Sequence, residues 1–160
     1  MDTSALTAAY ADYLSLAEAG GFGEPEPGEW TAAEQIAHVA LADASIAAVA
    51  LAVASGQRPV YDNRASLDHW NLHRLIDEVG GGGSDPLDGL VERVRQTSRT
   101  VLSVASLLSD ADALVPVRVL IISGHDLIVD DVWTTGDLVN GIARVHLPRH
   151  AEQLGRLRSV

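Results

Sequence analysis

Two histidines stand four residues apart near the C-terminus, in the run His146–Leu147–Pro148–Arg149–His150, and a third, His38, lies more than a hundred residues upstream. On an α-helix, residues four apart point the same way. Imidazole is the commonest protein ligand for metal ions. Two ligands from one helix and one from another would give an open three-histidine centre, with room left for water or substrate.

A helical wheel separates the candidates. At about 100° per residue, Leu138, Val139, Ile142, His146, His150, Leu154 and Leu157 fall on one stripe, with Gln153 beside it. Asp137, Asn140, Arg144 and Arg158 fall on the opposite side. Two imidazoles in the middle of a core-facing stripe are costly without partners, and a metal ion is a natural partner. His69 and His73 also have the four-residue spacing. They flank an apolar stripe of Leu67, Trp70, Leu72, Leu75, Ile76 and Val79, and read as rim or surface residues. His125 falls in an expected hairpin turn and reads as solvated. His38, taken alone, reads as a core histidine; the need of the His146/His150 pair for a third ligand brings it into the set.

No other side chain completes a closed site. Cysteine is absent, which removes thiolate ligands, disulfides and a cysteine nucleophile. Asp43 is the carboxylate to weigh as a fourth ligand, but it lies five residues past His38, on a different part of the helix. An open position is therefore expected, covered by the segment Gln57–Arg64. Tyr61, Asn63 and Arg64 in that segment read either as pocket lining or as ordinary loop polarity. Glu34 reads first as a capping residue and second as a general base.

The elements that must hold these residues can be read from the pattern. Asp2–Ala19 is helix-prone and stops at Gly20–Gly21–Phe22–Gly23. Thr31–Ala32–Ala33–Glu34 matches a capping box, so a second helix opens at Thr31 and runs to about Ser55–Gly56. Its Ala-rich stretch Ile36–Ala54, interrupted by His38, Asp43 and Ser45, reads as a buried helix rather than a membrane span. Gln57–Arg64 reads as a loop. A shorter helix follows from Ser66–His69 to the glycines Gly80–Gly83. Asp85–Pro86 starts a helix that runs to about Leu108. Val115–Ile122 and Leu127–Val132, around Ser123–Gly124, read as a β-hairpin. Thr134–Thr135–Gly136–Asp137 opens the last helix, to about Arg156. Pro148 should kink it, on the outer side of the wheel. The fold expected is mainly α: four main helices, one extra short helix and a β-hairpin before the last helix, in a single domain over residues 1–160.

Composition sets outer bounds. At 160 residues, 47 % of them hydrophobic, the chain suits one domain with a real core. Net charge is -11 and every basic residue is Arg. No basic footprint for nucleic acid is present. The start Met1–Asp2–Thr3–Ser4 has no basic leader region; a cytoplasmic protein is expected, with neither a membrane nor nucleic acid as partner.

Trp30 at the start of the second helix, His38 within it, a long gap, then His146 to Leu154 with the late arginines Arg156 and Arg158 make a combination that spans the chain. In this order the residues resemble the DinB-like superfamily, which includes bacterial low-molecular-weight-thiol transferases and the metal-binding domain of mycothiol-dependent maleylpyruvate isomerases. The resemblance implies a four-helix bundle with a divalent metal ion, zinc, nickel, manganese or iron, held by His38, His146 and His150. It implies a metal-dependent enzyme acting on a small-molecule substrate with a low-molecular-weight thiol such as mycothiol. It is compatible with a homodimer. Metal-assisted hydrolysis is a second chemistry for the same site. A non-catalytic protein that binds metal or ligand is the competing class.

Overall fold

The computed structural model describes residues 1–81 and 85–158. The Gly82–Gly83 half of the expected glycine stop lies outside the described residues. The protein is mainly helical, with a small three-stranded sheet: α1 Ser4–Ala19, α2 Ala32–Ala54, β1 Val60–Asp62, α3 Arg64–Leu67, α4 His69–Gly80, α5 Pro86–Leu107, α6 Asp110–Ala113, β2 Pro116–Ser123, β3 Asp126–Thr134, α7 Thr135–Gly141, a π-helical turn Ile142–His146, and α8 Leu147–Leu157.

Local chemistry sets the helix ends. Thr31 and Glu34 form the reciprocal capping box that opens α2. Asp68 caps α4 by accepting from the Asn71 N–H. Asp85 accepts from Leu87 N–H, and Pro86 fills the first position of α5. Thr134 caps α7 through the Asp137 N–H. α1 stops at Gly20, whose φ of 58° suits glycine.

α2 is apolar on nearly every face because almost every face is covered. It packs most extensively on α5 and also meets α4, α8, α3, α7 and β1. α1 covers α5 and α8. One continuous core joins Leu6, Tyr13, Ile36, Val39, Leu72, Leu90, Val94, Val101, Val117, Ile142, Leu147 and Leu154, all nearly inaccessible. α4 and α5 approach closely at Gly89, where a Cβ would stand 2.8 Å from Val79 Cβ. Only a residue without a side chain permits that separation.

The expected hairpin forms, from β2 and β3 in antiparallel register. Gly124, at φ 60°, takes the first position of its two-residue turn, as a II′ turn requires. A bulge interrupts the ladder between Ile121 and Ile122. Val117 and Val119 turn inward and are wholly buried, the alternation expected of a sheet with one covered face.

Two expectations need correction. Gln57–Arg64 is not simply a loop: Val60–Asp62 forms β1, which pairs in parallel with Arg118–Leu120 of β2. Asn63 extends this pairing with its side chain. Its Nδ2 donates to Ile122 O at 3.0 Å, and its Oδ1 accepts from Ile122 N–H at 2.8 Å. The amide thus reproduces a strand's donor and acceptor beside the bulge.

The last helix is also not one kinked rod. Pro148 has no N–H for the Arg144 carbonyl, and in an α-helix its ring would collide with that carbonyl. The chain widens instead: Leu147 N–H donates to Ile142 O, five residues back, which adds a residue to the turn. The wider turn rotates the residues after it. Leu147, only 1 % exposed, takes a core position that the regular wheel does not give it, and His146 moves to the edge of the core, partly exposed.

Candidate metal centre

α2 presents His38, the π turn ends on His146, and α8 presents His150 in its first turn. The structure brings these three together. His38 Nε2 lies 3.1 Å from His146 Nε2. Ring centroids are 4.8 Å apart for His38 and His150, and 4.6 Å for His146 and His150. One ligand atom from each ring falls within 4.8 Å of the others. Nitrogens sharing a tetrahedral zinc ion stand about 3.3 Å apart, so the His38–His146 separation is near what a shared ion needs.

The protonation pattern has a clear origin. His38 Nδ1 lies 2.8 Å from the Ser66 carbonyl, which only accepts. Nδ1 therefore carries the proton, and Nε2 turns its lone pair toward the other rings. A backbone acceptor that fixes the tautomer and the ring plane is the usual support of a metal-binding histidine. Trp30 packs against the His38 ring, with centroids 5.2 Å apart.

The remaining nitrogens are not satisfied by the protein. His146 Nδ1 and His150 Nδ1 are buried and have no hydrogen-bond partner among the described residues, and Gln153 Oε1 is in the same position. A cation would take the facing Nε2 atoms of His38 and His146 and one nitrogen of His150, and on this observation the residues fit a divalent ion.

The electrostatics favour the neutral form that metal binding requires. Burial lowers the His38 pKa, against the opposing Ser66 hydrogen bond. Burial holds His146 well below the usual imidazole value, helped by His150, His38 and Arg149. Burial pushes His150 down to about 3, with His38 and Arg149 adding to it; Gln153 opposes but does not reverse the shift.

Among the described residues, no carboxylate joins the group. Asp43 is elsewhere in the core: it is fully buried, accepting from Tyr10 Oη at 2.8 Å and Thr97 Oγ1 at 3.2 Å. The residues weighed as pocket lining have structural partners instead. Tyr61 is buried in the core, Asn63 binds Ile122, and Arg64 pairs with Asp62. The contact of this region with the centre comes from the Ser66 carbonyl, which residue types could not reveal.

His69 and His73 lie on the exposed side of α4, as expected of rim residues, yet both face Glu34, at 3.9 and 3.2 Å. His125 is exposed in the hairpin turn. Two surface clefts, one between α2 and α5 and one beside α1 and α8, are lined mainly by alanines and other small side chains and include none of these histidines.

No family model matches the chain, and no curated protein or solved structure matches it significantly.

Proposed function

We propose that the chain is a divalent-metal-dependent enzyme of the DinB-like type, a four-helix bundle of α1, α2, α5 and α7–α8, that transfers or uses a low-molecular-weight thiol. The observation that carries the reading is the meeting of His38, His146 and His150, with one ligand atom of each within 4.8 Å of the others. Zinc, nickel, manganese and iron each suit an imidazole site of this kind. When bound, such an ion supplies Lewis acidity and lowers the pKa of a thiol or water.

The protein's own residues prepare the site. Ser66 O orients the His38 ring, Trp30 packs against it, and His146, after the π turn, is the partly exposed member of the three. With no cysteine in the chain, the sulfur of a transferred thiol comes from a soluble cofactor such as mycothiol.

The test is metal analysis of protein purified without a histidine tag, followed by a thiol-consumption assay. His146→Ala is expected to lower the metal content by one ion per chain and to abolish thiol turnover. Undiminished metal in that variant would sink the site.

A non-catalytic metal- or ligand-binding protein is the second reading. It is favoured by one observation: among the described residues, no carboxylate joins the three rings to act as a general base. Metal bound through His146, without consumption of any thiol tested, selects it.

A further inference from the structure

We infer that Glu34, His69 and His73 form a second divalent-cation site, set between α2 and α4 and suited to zinc, nickel or copper(II). His69 and His73 occupy successive turns of α4. Their rings stack with centroids 3.9 Å apart and planes 30° from parallel, so both present an edge to the same side. Glu34 reaches them from α2. Its Oε1 is 3.2 Å from His73 Nε2 and 3.9 Å from His69 Nε2. The three ligand atoms lie within 4.8 Å of one another.

The two oxygens of Glu34 have separate tasks. Oε2 accepts from Thr31 N–H at 2.9 Å and from Thr31 Oγ1 at 2.8 Å, closing the capping box. That leaves Oε1 held in place and turned to the histidines. A hydrogen bond accounts for one ring only, since 3.9 Å is too long for a second. A cation would use all three groups.

Two imidazoles and one carboxylate on one side of an ion, with the remaining positions open, form a recognised set for borderline transition metals. Calcium and magnesium prefer oxygen ligands. The His69 and His73 side chains are 80 % and 47 % exposed, so an ion needs no opening of the fold to enter. Glu34 precedes His38 by four residues on α2, about 6 Å along the helix axis. This centre and the three-histidine centre share no ligand.

The experiment counts ions. Untagged wild-type protein and the double variant His69→Ala/His73→Ala are titrated with zinc and then with nickel by calorimetry. Exposed alanines on α4 leave the fold intact, which circular dichroism checks. The variant is expected to bind one ion per chain fewer than wild type. Glu34→Gln, which keeps the capping box, is expected to weaken the same event tenfold or more. The ion count difference reads this site alone, so it survives even where the three-histidine centre takes no metal. Equal stoichiometry in wild type and the double variant would overturn the site. Unchanged affinity in Glu34→Gln would overturn the carboxylate's part in it.

Discussion

Asp43 is a carboxyl group whose chemistry the core alters. Burial pushes its carboxyl up to about 7, although hydrogen bonds from Tyr10 and Thr97 favour the carboxylate. Burial also raises Tyr10 and Tyr13 well above the usual phenol value, with Asp43 adding to both, so the tyrosines stay protonated. The folded chain therefore holds the Asp43 proton more tightly than the unfolded chain does. This contribution to stability is complete below the unfolded value of about 3.9 and is lost as pH rises through about 7. Between pH 5 and 8 the loss amounts to about 2–3 kcal/mol. Asp43→Asn has nearly the same shape, still accepts from Tyr10 and cannot ionise. The buried histidines, whose pKa values folding lowers, make stability rise over the same range in both proteins alike. Urea unfolding at the two pH values is therefore expected to show wild type losing about 2–3 kcal/mol relative to the Asn variant between pH 5 and 8. The same pH dependence in both proteins would show that Asp43 contributes none of it.

At the scale of elements, the π turn is the piece with the most specific consequence. Pro148→Ala restores a donor for the Arg144 carbonyl and removes the ring that blocks it. The segment Ile142–His146 is then expected to tighten to an α-helix and rotate His146 away from His38. Zinc affinity at the three-histidine centre should fall tenfold or more, while the melting temperature holds or rises. Unchanged affinity would mean that the surrounding packing, not Pro148, sets the wide turn. This element also marks how far the sequence can be read. The pairing of His146 with His150 was legible from a spacing of four and from a stripe of Ile142, Leu154 and their neighbours. The Thr31/Glu34 cap and the hairpin were legible from local chemistry. The π turn was not, because the wheel assumes one period throughout, and a proline predicts disruption without its form. β1 was hidden because three residues carry no alternation to recognise and their partner lies far along the chain. Ser66 was hidden because its part is played by a backbone carbonyl. Glu34 was legible as a cap but not as a partner of His73, which only the packing of α4 on α2 creates.

Taken whole, the molecule places its candidate ligands on segments that are remote in sequence but packed together. A bound ion stabilises the folded chain by mass action, by about 4 kcal/mol at a thousand times its dissociation constant. For a domain of this size that corresponds to about 10 °C in melting temperature. In the His69→Ala/His73→Ala background, which isolates the three-histidine centre, treatment with a chelator is expected to lower the melting temperature by that order. Adding His146→Ala should remove the response; a persisting response would place the stabilising ion elsewhere. His38 and His146 are separated by 108 residues. An ion held by both would therefore close most of the chain into one loop in the folded protein. A protein without cysteine would then possess a staple that no reductant opens, one whose closure follows the supply of metal rather than the redox state of its surroundings.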